Sequence, residues 1–363
     1  MTVFLPIFLR RAGEVSGRVL GSLALTFPLC GCQVNYYLKS AYYQAGLLRS
    51  RVPIASALQD SQMSEENKRK LNLAQEARGF AERELGLKHT DNYTSFVQLD
   101  RPYVTYVVAA AMRTELKAYN WWFPIVGSLP YKGFFNPEDA KAEAEALKAR
   151  GYDTFTRGVS AYSTLGWFND PLLSSMLSYR DYDLVNTIIH ETTHATIYIK
   201  SQADFNERLA VFIGNIGARE FYLRKEGSDS RTLKAMDDDL ADEADFAAFI
   251  AQEMRLLEKW YQERQNTVID EVERKTRFKE IQERFITDLR PRLRSANSYK
   301  NFDSIELNNA RLLNYRLYIE NLNDFELVFK KLGSDFAKML AFCKSLEGTA
   351  DPKAELARAA ATP

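Results

Sequence analysis

The chain has 363 residues, of which 46% are apolar, 12% aromatic and 26% charged. That is ample for a buried core, and it excludes both a disordered segment and a small disulfide-stapled scaffold. The 48 basic residues balance the 48 acidic ones, so nothing in the charge points to nucleic acid.

Residues 1–31 read as a secretory leader: Arg10, Arg11 and Arg18 precede an apolar run, Val19 to Leu29, that meets Leu29-Cys30-Gly31-Cys32. The run is shorter than the roughly 20 residues a spanning helix needs. The final four residues resemble a bacterial lipobox, which implies cleavage before Cys32 and a lipid on that cysteine. Gln33, in place of the aspartate linked to inner-membrane retention, favours an outer-membrane address. The competing reading is a cytosolic protein with an apolar N-terminal helix. With Cys32 acylated, Cys343 is the remaining thiol, and its setting, MLAFCKSL, predicts a buried inert group.

Downstream, YYLKSAYYQAGLLRSR and the segment opened by Ser64, SEENKRKLNLAQEARGFAEREL, have helical spacing. Between Tyr93 and Phe135 the runs TSFVQL, YVTYVVAAA and YKGFF, broken by Pro102, Pro124, Gly127 and Pro130, predict a sheet. Trp121 and Trp122 lie in that region and read as core or loop packing. Pro137 starts a helix that Gly151 ends. Residues 154–168 predict one or two strands leading to a turn at Asn169-Asp170-Pro171, and another helix begins near Asp183. From about Lys225 the chain turns charged and helical, predicting a hairpin or bundle. Its run DDDLADEAD reads as solvated surface, and the final dozen residues as a frayed tail. The predicted organisation is a leader over 1–31, a region over 32–224 with N-terminal helices and sheet, a helical region over 225–345, and a flexible tail over 346–363.

The chemistry concentrates in NTIIHETTHATIYIK, residues 186–200. On a helix, His190 and His194 share a face and can present two imidazoles to one ion. Glu191 lies about 100° round the helix, beside such an ion, where it can take a proton from an attacking water. A pair of hydrogen-bonded core histidines is the bland alternative. A zinc site that keeps a position open requires a third ligand. His89 is the one other histidine and no cysteine is near, so a carboxylate is expected. Glu207, in ADFNERLAVFIGN, would lie in the opening turn of a helix packing back on the first. It equally completes a capping-box-like start with Asp204.

The Asn206-Glu207 pair before an apolar helix resembles the third-ligand segment of glutamate-zincin metallopeptidases. Val211 stands where the thermolysin-like branch carries an aspartate, so no partner for the histidines is identified. The segments CQVNYYLKSAYYQAG, ARGFAERELGL, WWFPIVGSLPYKGFF, VSAYSTLGWFNDPLLSSML, IIHETTHATIY, FNERLAVFIGN and LNNARLL are together similar to the family of predicted zinc aminopeptidases carried as bacterial lipoproteins, over residues 32–345. That resemblance implies an α+β fold with a zincin-like core, a small mixed sheet, an active-site helix and a mainly helical C-terminal part. It implies Zn²⁺ on His190, His194 and Glu207, Glu191 as general base, a peptide or protein substrate, and a periplasm-facing lipoprotein anchored to the membrane. Thr192 and Thr193 replace the family's usual leucine and alanine without touching the ligands.

Tyr162 is the first candidate for oxyanion stabilisation, with Tyr315 and Tyr318 behind it; each could equally be a packing tyrosine. Ala161, Ser163, Thr164 and Gly166 lie on a segment that could pair with an extended peptide. Asp170 is a candidate anchor for a substrate α-amine, although Asp170-Pro171 also reads as an N-cap and first helical position. Besides an aminopeptidase, the sequence allows a zinc endopeptidase acting on envelope proteins, or a catalytically silent binding lipoprotein. The intact Glu191 speaks against the last, since a purely structural zinc needs no base.

Overall fold

A computed structural model describes residues 31–123, 127–161, 169–200, 202–265, 267–295, 298–318 and 322–362. Residues 1–30, with the expected leader, lie outside this set, as does the side chain of Cys32. Among the described residues no helix is long and apolar enough to cross a membrane.

The chain begins with α1 (Gly31–Arg49), β1 (Val52–Pro53), α2 (Ile54–Leu58) and α3 (Glu65–Arg83). Ser64 caps α3 by accepting from the Asn67 amide at 3.2 Å, satisfying a donor the first turn leaves orphaned. Next come β2 (Ser95–Val97), β3 (Thr105–Met112), β4 (Trp121–Phe123), β5 (Gly127–Leu129) and β6 (Tyr131–Phe134). Asn136 caps α4 (Pro137–Ala149), and Gly151, at φ +84, turns the chain into β7 (Tyr152–Val159). β8 (Leu172–Leu173) and a short 3₁₀ turn lead to α5 (Asp181–Thr196) and α6 (Ala203–Glu226). The remainder is helical: α7 (Arg231–Gln262), α8 (Glu271–Arg284), α9 (Asn309–Tyr318), α10 (Asn323–Lys331), α11 (Phe336–Ser345) and α12 (Pro352–Ala361).

The fold is therefore mixed α+β with small sheets. β3 is flanked by β6 and β7, both antiparallel, which leaves β7 at an edge of that sheet among the described residues. β2 pairs antiparallel with β1 and parallel with β8, so residues 93–97 lie beside 170–173. The largest core joins α3, α5, α6 and α10–α12; a second core joins α7, α8 and α9 to the end of β3.

α5 is the central element of the first core. Leu184, Val185, Ile188 and Ile189 are fully buried, and the burial continues through His194. A helix apolar around most of its circumference must be enclosed. At its start Asp181 is held by Arg69 at 2.6 Å and Lys70 at 2.7 Å from α3. α6 approaches closely because Gly214 and Gly217 lack side chains. A Cβ on Gly214 would meet Asn186 Oδ1 at 2.9 Å, and one on Gly217 would meet Leu85 Cδ1 at 2.7 Å and Ile189 Cγ2 at 3.1 Å.

Several expectations are corrected. The final stretch, expected to fray, forms α12: Asp351 caps it, and Leu356 and Ala360 enter the main core. Asp242, in the supposedly solvated acidic run, is 1% exposed and accepts from the Arg294 and Ser295 amides. Trp121 is buried and donates to Glu143 at 2.7 Å, whereas Trp122 is 63% exposed, because successive strand residues face opposite ways. Cys343 is buried as expected, and that burial pushes its thiol up to about 12.

Candidate metal centre

His190 and His194 stand one turn apart on α5, and Glu207 reaches them from the opening of α6. The two Nε2 atoms are 3.2 Å apart. Glu207 places Oε2 3.7 Å from His190 Nε2 and Oε1 3.3 Å from His194 Nε2. One ligand atom from each of the three residues lies within 4.8 Å of the others, so the group could hold a metal ion. Tetrahedral coordination at bonds of about 2.0–2.1 Å requires ligand atoms separated by about 3.3 Å. The Nε2 pair at 3.2 Å and the His194–Glu207 contact at 3.3 Å lie close to that value, and with one carboxylate oxygen as the ligand every pair stays within 4.8 Å, so the donor set is compatible with a zinc ion.

The capping-box alternative for Glu207 fails. The residue before α6 is Gln202, which makes no side-chain cap bond, and Asp204 lies 3.8 Å from Lys353. Thr192 and Thr193 return their hydroxyls to the Ile188 and Ile189 carbonyls at 2.7 and 2.9 Å, so they satisfy themselves within the helix. His89 is remote from the cluster in use: it is exposed and bonds Glu82 at 2.8 Å.

Glu191 is 2% exposed, and neither carboxylate oxygen has a hydrogen-bond partner among the described residues. An unpaired buried carboxylate is costly. Burial pushes its pKa up to about 8; His194 opposes the rise, and Glu207 and Asp170 add to it. Burial holds His190 well below the ordinary imidazole value, with His194 contributing. At His194 burial also disfavours the charge, but the bond and charge of Glu207 outweigh it and raise the pKa.

Asp170 does not start a helix. Pro171 after it leads into β8, and Asp170 is 3% exposed. Its amide donates to Asn92 Oδ1 at 3.0 Å, and its carbonyl accepts from the Tyr93 amide at 2.7 Å. Tyr93 has φ +60, an uncommon conformation for a bulky residue, and its carbonyl accepts from Gln75 Nε2 at 2.6 Å. Burial raises the Tyr93 phenol well above its usual value, with the charges of Glu191 and Asp170 adding. Tyr93 and Asp170 therefore belong to the electrostatic surroundings of Glu191.

Ala161 is 3% exposed, in the main core. Tyr162, Ser163, Thr164 and Gly166, and the side chain of Tyr318, lie outside the described residues. Tyr315 packs instead in the second core, 5.3 Å from the Phe246 ring and 5.8 Å from that of Phe302. Sequence reasoning missed Tyr93, Tyr179 and Tyr198. Tyr179 and Tyr198 have raised pKa values, first through burial, with Glu191 contributing at Tyr179 and Glu207 at Tyr198. The position of Tyr198 four residues beyond His194 was the available signal.

A buried helix pair presenting two imidazoles, one carboxylate that could join them at a metal, and a second, unpartnered carboxylate has the composition of a hydrolytic centre. A family model described as "putative aminopeptidase" matches residues 35–358, and the chain belongs to that family. Membership supports peptidase activity and a peptide or protein substrate. No curated protein and no solved structure matches significantly.

Proposed function

We propose that the protein is a zinc peptidase with a zincin-like core that removes residues from free amino termini, anchored at a bacterial cell envelope by a lipid on Cys32. The observation that carries the zinc reading is the convergence of His190, His194 and Glu207: the two Nε2 atoms lie 3.2 Å apart, and the three ligand atoms fall within 4.8 Å of one another. Zinc bound there would act as a Lewis acid and bring the pKa of a water from about 16 toward 7.

Glu191 takes the proton of the attacking water and returns it to the leaving amine. Its buried and unpartnered carboxylate supports that role. Asp170 supplies negative charge for the substrate's α-ammonium, which would select exopeptidase over endopeptidase cleavage. Its burial beside Tyr93 strengthens that attraction by excluding water. Tyr162 remains the proposed oxyanion donor, and residues 163, 164 and 166 the proposed seat of an extended peptide.

The test compares the parent with Glu191→Gln on peptides with free and acetylated amino termini. The parent is expected to release single residues from free termini alone. Glu191→Gln is expected to keep its zinc and lose at least about 100-fold in kcat. Equal hydrolysis by the variant contradicts the assigned base; internal cleavage of acetylated peptides replaces the aminopeptidase reading with an endopeptidase one.

A further inference from the structure

The carboxylate of Glu207 comes from just past the first turn of α6, a helix whose preceding residue contributes no side-chain cap. Something else must fix that turn relative to α5. Asn206 is 1% exposed, and its side-chain amide uses both ends on a single residue of the α5–α6 connection: Oδ1 accepts from the Ile199 amide and Nδ2 donates to the Ile199 carbonyl, each at 2.8 Å. The same connection is tightened by Gln202 N donating to Ile199 O at 3.2 Å, and it is seated by Ile197 and Ile199, 1% and 5% exposed.

We infer that Asn206 is a positioning residue for the metal centre: its two-bond clamp on Ile199 sets the height and rotation of the α6 opening turn so that Glu207 meets the two imidazoles. This rests on the zinc reading above and deepens it.

The chemistry of the clamp is specific. A planar amide alone offers one acceptor and one donor at the spacing of a backbone N–H and C=O; aspartate would face the Ile199 carbonyl with a second acceptor, and alanine would take the Ile199 amide's partner away and leave its carbonyl with the Gln202 bond. Helix α6 does not depend on the clamp for its existence. Phe205 packs on Phe325 at 5.4 Å, the Arg208 guanidinium lies 5.4 Å over the same ring, and Phe212 stacks on it at 5.6 Å. Loss of the clamp therefore leaves a helix on its bed with a loosened first turn, and the adjacent Glu207 is the residue that feels it. The clamp also holds Ile199, the residue after Tyr198, which shares the field of Glu207.

The experiment uses the full chain in detergent, as parent, Asn206→Ala, Asn206→Asp and Met339→Ala, the last truncating a fully buried side chain in α11. Zinc affinity is measured by competition with a chromophoric chelator, coordination geometry by the visible absorption of the cobalt(II)-loaded protein, and folding by thermal unfolding of the metal-free form. Asn206→Ala is expected to weaken zinc binding by about 10- to 100-fold, the usual consequence of removing support for a ligand, and to diminish the tetrahedral cobalt bands. Asn206→Asp, which keeps the acceptor for the Ile199 amide, should fall between it and the parent, and it carries the comparison alone if the alanine variant does not fold. Met339→Ala should lower the unfolding temperature and leave zinc affinity within twofold. An Asn206 variant that binds zinc as tightly as the parent, or a Met339→Ala variant that loses as much affinity, overturns the positioning role while leaving the zinc reading intact. A parent that binds no zinc overturns both.

Discussion

In the layer built from α7, α8 and α9, buried charge is matched. Arg274, 3% exposed, bonds Asp153 at 2.5 Å and Glu271 at 2.9 Å; Arg284 forks onto Glu253 at 2.8 and 2.6 Å; Asp242 accepts from two backbone amides. Where α5 meets α6 the treatment is opposite. Glu191 is as deeply buried, yet its oxygens have no hydrogen-bond partner among the described residues, and Glu207 crowds the two imidazoles. A matched charge fixes one helix on another, and an unmatched one is tolerated where it has work to do on a substrate. Burial alone does not separate the two regions; the presence of partners does.

Substitutions that remove one charge from each region break this comparison. Arg274→Met leaves Asp153 with the Asn309 amide at 3.0 Å and the Arg113 guanidinium at 3.8 Å, and is expected to cost about 3–5 kcal/mol in urea unfolding. Glu191→Gln removes a carboxyl that burial already pushes toward its neutral form and that has no hydrogen bond to lose among the described residues, so the metal-free variant should be as stable as the parent or more so. If both variants destabilise equally, the distinction between matched and unmatched charge fails. Gly217→Ala acts on packing rather than charge. Its Cβ would lie 2.7 Å from Leu85 Cδ1 and 3.1 Å from Ile189 Cγ2, so it forces α6 away from α5 at a cost of about 1–3 kcal/mol in the same assay.

The smallest expected effect concerns pH. Hydrogen bonds from Arg69, and then from Lys70, hold the Asp181 carboxyl down to about 2 against the opposing effect of partial burial. A carboxyl whose pKa is depressed on folding stabilises the native state above its unfolded value, near 3.9, and loses that contribution as pH falls through the folded value. The stability difference between parent and Asp181→Asn should therefore be full at pH 6 and shrink between about pH 4 and 2. Because Asp181 is partly exposed, the difference stays below about 1 kcal/mol. A difference independent of pH would remove the α3 ion pairs from the account of how α5 is anchored.

Local signals made much of the fold legible. Ser64 before α3, Pro137 and Gly151 around α4, and the apolar spacing of α5 each act within a turn of the residues they control. The two imidazoles were readable for the same reason, since positions four apart on a helix must share a face. What escaped depends on partners distant in the chain. Asp242 looks solvated until Arg294 and Ser295 arrive, and Tyr93 shows its relation to Glu191 once β2 lies beside β8. In the tail, the small residues of Pro352–Ala361 suggested fraying, although Asp351-Pro352 is an ordinary helix start; α10 provides the surface that makes α12 worth forming. Asn206 was visible as half of an Asn-Glu pair, but its double bond to Ile199 required the folded connection.

The central claim is that two imidazoles of α5 and one carboxylate of α6 hold zinc. X-ray absorption at the zinc edge of the purified protein tests it most directly, compared with Glu207→Ala. The account expects two histidine nitrogens at about 2.0–2.1 Å, oxygen in the rest of the shell, no sulfur, and loss of an oxygen ligand or of the metal in the variant. A sulfur shell near 2.3 Å, or a zinc spectrum unchanged by Glu207→Ala, would contradict it.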